Sequence, residues 1–92
     1  MTRSHPQHYV RFYRDLGQRV KQLRKKKGYM QEDMISFGFG LRHWQQIEAG
    51  HPINLWTLLR IGEAFNMRAW KIIRGLDDNF PVKRTELMPR KR

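Results

Sequence analysis

A chain of 92 residues supports a single hydrophobic core and leaves little room for an elaborate catalytic cleft. It contains no cysteine, which excludes disulfides, thiolate nucleophiles and Cys-based zinc sites, and its 39% apolar content argues against wholesale disorder. Nineteen Lys and Arg against eight Asp and Glu give a net charge of +11. That balance favours a polyanion as partner, and nucleic acid ahead of a membrane, because no apolar run approaches the roughly 18 residues of a spanning helix.

Residues 1 to about 6 are polar, carry a proline and show no apolar stretch of the secretory-signal kind. From Tyr9 onward Phe12, Leu16, Val20 and Leu23 fall three or four apart, which predicts a helix from about Gln7 to Lys27. Gly17 is a weak point in it, costing up to about 1 kcal/mol relative to alanine. Lys25, Lys26 and Lys27 suit the negative end of the helix dipole, and Gly28 stops it. A short second helix opens on Gln31-Glu32-Asp33, with Met30, Met34 and Phe37 expected on one inward face. Gly38-Phe39-Gly40 breaks the chain before a third helix, Leu41 to about Ala49, which turns Trp44 and Ile47 inward. Gly50 and Pro52 end it. The fourth helix takes Asn54 as N-cap and is expected to bury Leu55, Leu58, Leu59 and Phe65, leaving Trp56 partly exposed. A fifth, about Arg68 to Arg74, contributes Ile72 and Ile73 and closes at Gly75. No segment alternates as a half-buried strand does. The pattern decays past Leu76 into a tail with Pro81, Pro89 and Arg90-Lys91-Arg92. The expected architecture is all-α with five helices: a partly helical extension over residues 1–15, a domain over 16–76, and a basic tail over 77–92.

Residues 31–49 carry the functional signal. Two short helices joined by a glycine-containing turn, the second rich in polar residues, form the unit that lays a recognition helix in the major groove of DNA. With Trp44 and Ile47 as anchors, Leu41, Arg42, His43, Gln45 and Gln46 are left to read base edges. Arginine pairs bidentately with guanine and glutamine with adenine, each pair discriminating by about 1–3 kcal/mol.

At this point the sequence resembles the Cro/CI-type (XRE) helix-turn-helix family of phage-repressor-like domains. The resemblance is carried by Leu16 to Arg24 (LGQRVKQLR), Gln31-Glu32-Asp33-Met34, Ile47-Glu48-Ala49-Gly50 and Leu55 to Ile61 (LWTLLRI), and covers residues 16–76. It implies a lambda-repressor-like fold and a non-enzymatic transcriptional regulator that binds double-stranded DNA as a homodimer on a palindromic operator, without a cofactor. It also implies a cytoplasmic, nucleoid-associated protein of a bacterium or phage. By position, Gln31 would hold a phosphate, as would His51 and Asn54 in and after the following loop. Leu41, Arg42, His43 and Gln46 would read bases, with Gln45 at the margin. Arg24 and Glu48 would form a structural ion pair between the first helix and the end of the third. The chain departs from the family pattern in four ways. Met30 stands where Ser or Thr usually caps the second helix, and Gly40 where one opens the third. The Gln31–Gly38 segment is one residue short. Met34 or Ile35 replaces a small alanine.

Other residues admit two readings. His5 and His8, or His43 and His51, invite a metal, but no carboxylate cluster accompanies them. Trp44 matches an apolar anchor better than a base-stacking residue. Trp70, with Ile73 and Leu76, forms a dimer seam, or else the fifth helix is rotated and Trp70 packs inside. Tyr9, Phe12 and Tyr13 beside Arg11 and Arg14 cover the domain or a partner. Lys83, Arg84, Arg90, Lys91 and Arg92 lie along phosphates or form a solvated end. Exposed aromatics also suit an alternative, an antitoxin-like module that binds a partner protein and DNA only secondarily. Asp15, Asp77 and Asp78 form no acid–base constellation of an enzyme.

Overall fold

The computed structural model describes residues 7–78 and Phe80. Among them the chain forms five helices and no strand: α1 (Gln7–Lys26), the 3-10 helix η1 (Gln31–Phe37), α2 (Leu41–Glu48), α3 (Leu55–Phe65) and α4 (Ala69–Ile73). The all-α architecture expected from periodicity is present in that order. No described helix is long and apolar enough to cross a membrane.

α1 runs unbroken through Asp15 and Leu16. It buries Leu16, Val20 and Arg24, one residue per turn on the same face. Phe12, Tyr13 and Leu23 pack half-buried along the margin, and Tyr9 stays exposed. Gly17 lies on that buried face, and its reason is packing. A Cβ there would stand 2.6 Å from the carbonyl oxygen of Ile47 and 2.7 Å from that of Glu48, so only glycine lets the end of α2 approach α1 this closely.

The second element is not the α-helix expected but a 3-10 helix. Met30 is its extended N-cap and is 67% exposed, and Phe37 lies at the rim, its ring centre 5.5 Å from that of Tyr29. Met34 alone of the expected inward face is buried. The missing Ser/Thr cap is replaced from the other side. The carboxylate of Asp33 accepts from the backbone N–H of Met30 at 2.7 Å, satisfying one donor of the helix start. Gly38 closes the helix at φ 92°, a left-handed conformation that favours glycine, and Phe39 then turns into the core.

α2 rests on α1 and η1. It buries Trp44 and Ile47, as its spacing predicts. The Trp44 ring packs edge-on to Phe39 (4.9 Å) and Phe65 (6.0 Å), which joins α2 to α3. In α3 the N-cap is Asn54, whose side chain accepts from the N–H of Thr57 at 2.8 Å. The buried stripe of α3 differs from expectation. Thr57, Leu58, Ile61, Ala64 and Phe65 face the core, while Leu55 and Leu59 are 68% and 52% exposed and Trp56 is 68% exposed. Apolar residues occupy both sides of this helix, so periodicity alone admits two inward faces. The row of Thr57, Ile61 and Phe65 faces inward, with Phe65 packed edge-on against Trp44 and Leu58 and Ala64 beside it. α4 packs on α3 and α1, buries Ile72, and is tied down by the guanidinium of Arg19, which donates to the carbonyl of Ile72 at 2.9 Å. Phe80 returns to α1, its ring centred 4.7 Å from His8, 5.2 Å from Tyr9 and 5.7 Å from Phe12. Part of the aromatic surplus in residues 7–15 is thereby covered by the chain itself.

Candidate nucleic-acid interface

The site is organised around one carboxylate. The Glu48 side chain, 4% exposed, accepts four hydrogen bonds from three residues of three elements. Its Oε2 takes Arg24 Nε at 2.6 Å and Trp44 Nε1 at 2.6 Å. Its Oε1 takes Gln31 Nε2 at 3.0 Å and an outer nitrogen of Arg24 at 3.2 Å. Arg24 also donates to the carbonyl of Tyr29 at 2.9 Å. Arg24 and Glu48 therefore meet as a buried two-point ion pair, and the start of η1 and the middle of α2 are bonded to the same group. Burial pushes the Glu48 carboxyl up, but the hydrogen bonds from Arg24, Gln31 and Trp44 and the charge of Arg24 outweigh it. The pKa lies below the ordinary carboxylate value. No buried side-chain nitrogen or oxygen among the described residues lacks a partner.

This network orients what faces outward. A carboxylate only accepts, so Gln31 must turn its amide nitrogen inward and its oxygen outward. That oxygen accepts from Gln45 Nε2 at 3.3 Å. Of the base-reading candidates, Arg42, His43 and Gln45 are exposed on α2, and Leu41 and Gln46 are half-buried. All five lie off the buried Trp44–Ile47 face. Of the phosphate candidates, Gln31 keeps one amide N–H beyond its bond to Glu48. His51 is exposed, and Asn54, engaged by its oxygen as helix cap, has its amide N–H groups outside that bond. A shallow hollow of about 490 Å³ beside Gln31 is lined by Lys21, Lys25 and Tyr29 among others.

The seam candidates separate. Trp70 is 56% exposed, with Lys71 and Arg74 about 6 Å from its ring centre, whereas Ile73 and Leu76 are half-buried against the core. Among the described residues no group of three or more His, Asp or Glu is placed to hold a metal ion. His5 and the tail cations Lys83, Arg84, Arg90, Lys91 and Arg92 lie outside the described residues.

No family model, curated protein or solved structure gives a significant match to this chain.

One residue of the site carries no signal in the sequence. Arg60, on α3, donates to the carbonyl of Gly38 at 2.7 Å and lies over the ring of Phe39, 4.4 Å from its centre. It is separated by 22 residues from its hydrogen-bond partner. An arginine within a leucine-rich helix reads as a solvated position, and only the folded chain brings it to the turn.

Proposed function

We propose that this chain is a sequence-specific double-stranded DNA-binding transcriptional regulator with a lambda-repressor-like helix-turn-helix, a cytoplasmic, nucleoid-associated dimer of bacterial or phage origin. The supporting observation is the division of α2. Trp44 and Ile47 are buried and Glu48 is locked, while Arg42, His43 and Gln45 stand exposed on a chain of net charge +11. Three side chains with hydrogen-bonding edges, on one rigid eight-residue helix, suit base reading in the major groove. In this reading Leu41 and Gln46 flank the readers, and Gln31, His51 and Asn54 meet phosphates. The family assignment rests on the residues quoted for it and on the Arg24–Glu48 pair.

The test is selection of bound duplexes from a random pool at about 150 mM salt, with Arg42→Ala and Gln46→Ala beside the wild type. A palindromic motif whose sharpest positions relax in the variants supports both specificity and the dimer. Binding without a motif, unchanged by either substitution, rejects the reading and leaves charge alone.

A second reading is favoured by one observation. Leu55, Trp56 and Leu59 form an exposed apolar patch on α3 of a kind that marks protein contacts. It suits an antitoxin-like module that binds a partner protein. A chain that selects no DNA motif but loses a co-purifying protein on Leu59→Glu would fit that reading.

A further inference from the structure

The direction in which α2 leaves the turn decides which base edges its side chains reach. The C-terminal end of α2 is fixed by Glu48 and by the close contact of its carbonyls with Gly17. Its N-terminal end has fewer constraints. Gly40, the residue before α2, has no atom within 4 Å of where a Cβ would stand, and its cap makes no side-chain hydrogen bond. Leu41 is half-buried, and Arg42 and His43 are exposed. This end is held by buried Trp44, whose backbone N–H bonds to the Gly40 carbonyl at 2.9 Å, and by the ring of Phe39 packed against it, and one further side chain touches both that ring and the carbonyl of Gly38. Arg60 reaches across from α3, donates to the Gly38 oxygen at 2.7 Å and covers the Phe39 ring at 4.4 Å. The guanidinium also fills the space that a side chain on Gly38 would need, since a Cβ there would lie 2.8 Å from its terminal nitrogen.

We infer that Arg60 is a positioning residue for DNA recognition: it fixes the start of α2, and through it the aim of Arg42 and His43, without touching the DNA bases itself. This rests on the DNA-binding reading. A planar guanidinium can donate in its plane and stack with its face at once, and lysine cannot reproduce both. The contact lies at the surface edge of the core, so its loss frees the turn without opening the core beneath Trp44.

The experiment compares the full chain with Arg60→Ala and Arg60→Lys by two readouts. Amide hydrogen exchange of Phe39 and Trp44, whose N–H groups bond to the carbonyls of Met34 and Gly40, needs no DNA. It is expected to speed up about tenfold in Arg60→Ala, the combined scale of one modest hydrogen bond and one cation–π contact, while α1 is unchanged. The second readout is the ratio of specific to non-specific DNA affinity. It is expected to fall about tenfold or more in both variants, with the salt dependence reduced by no more than a single lost charge allows. Unchanged exchange at Phe39 and Trp44 in Arg60→Ala overturns the tether. Faster exchange with an unchanged affinity ratio overturns the link to recognition. If the wild type selects no DNA motif, the DNA-binding reading falls, and the role in recognition falls with it. The exchange result then still decides the tether by itself.

Discussion

Replacing Glu48 by glutamine tests the centre of the site. The substitution preserves shape but turns one oxygen into an N–H2 group. Each carboxylate oxygen accepts two bonds, so whichever position the new nitrogen takes, two donors lose their acceptor. If it replaces Oε2, the Arg24 Nε–H and the Trp44 indole N–H both face a donor. The charge of Arg24, only 8% exposed at its side chain, also loses its mate. Removing one member of a buried ion pair costs roughly 3–5 kcal/mol, and hydrogen bonds to charged groups about 1.5–3 kcal/mol each. The terms overlap, and the surface edge of the site lets water reach part of it, so about 3 kcal/mol is the expected loss. For a domain of this size that lowers the thermal midpoint by about 12–24 °C. Thermal and urea unfolding followed by circular dichroism measure it. A loss below about 1 kcal/mol would mean that the four bonds do not hold the three elements together, and the argument from Glu48 would fail.

Acid should reproduce that effect. The folded pKa of Glu48 is depressed, so its contribution is present above the unfolded value of about 4.3 and is lost as pH falls through the folded value. The gap in midpoint between wild type and Glu48→Gln should therefore close below about pH 4, and a constant gap would contradict the shift. Gly17→Ala, which raises helix propensity and would stabilise a solvated helix by up to about 1 kcal/mol, should instead destabilise, because the new Cβ meets backbone carbonyls that cannot step aside. A rise in midpoint rejects the close contact of α1 with α2. Trp70→Glu should turn a dimer into a monomer by light scattering; a retained dimer removes Trp70 from the seam. Asn54→Ala should cost about 1 kcal/mol through the lost cap, and an unchanged urea midpoint would show that Thr57 is capped otherwise.

Helix positions were legible wherever an apolar period met a stop signal. The Leu16–Val20 row, the Trp44–Ile47 anchors and the Asn54 cap each combine a pattern with a local chemical reason. The inward face of α3 is not legible because the sequence offers Leu55, Trp56, Leu58, Leu59, Ile61 and Phe65, more apolar residues than one stripe needs. Phe65 is buried on either choice, and the choice of Thr57 and Ile61 over Leu55 and Leu59 is made by packing against the other helices, which the pattern does not carry. Gly17 looks like a local weakness in the sequence because its reason lies 30 residues away, in the carbonyl of Ile47. The Arg24–Glu48 positions came from resemblance, whereas the third and fourth bonds to Glu48, from Gln31 and Trp44, follow from three elements converging. Arg60 was invisible for the same reason.

The short second helix has a physical resolution. The resemblance behind the proposed function implies one residue more in this segment, eight helical residues against the seven of Gln31–Phe37. Eight α-helical residues advance about 12 Å and turn through about 800°. Seven residues wound as a 3-10 helix advance about 14 Å and turn through about 840°. Tighter winding thus compensates for the missing residue to within about 2 Å and 40°. Gln31 at one end can still reach Glu48, while Gly38 at the other still delivers Phe39 to the core. The poorer hydrogen-bond geometry of a 3-10 helix is the cost. It is offset at the two ends, by the Asp33 carboxylate on the Met30 N–H and by Arg60 on the Gly38 carbonyl. The 3-10 winding of η1 and the proposed role of Arg60 are then two sides of one adjustment: a tightly wound segment needs its far end held, and α3 supplies a group that bonds to it.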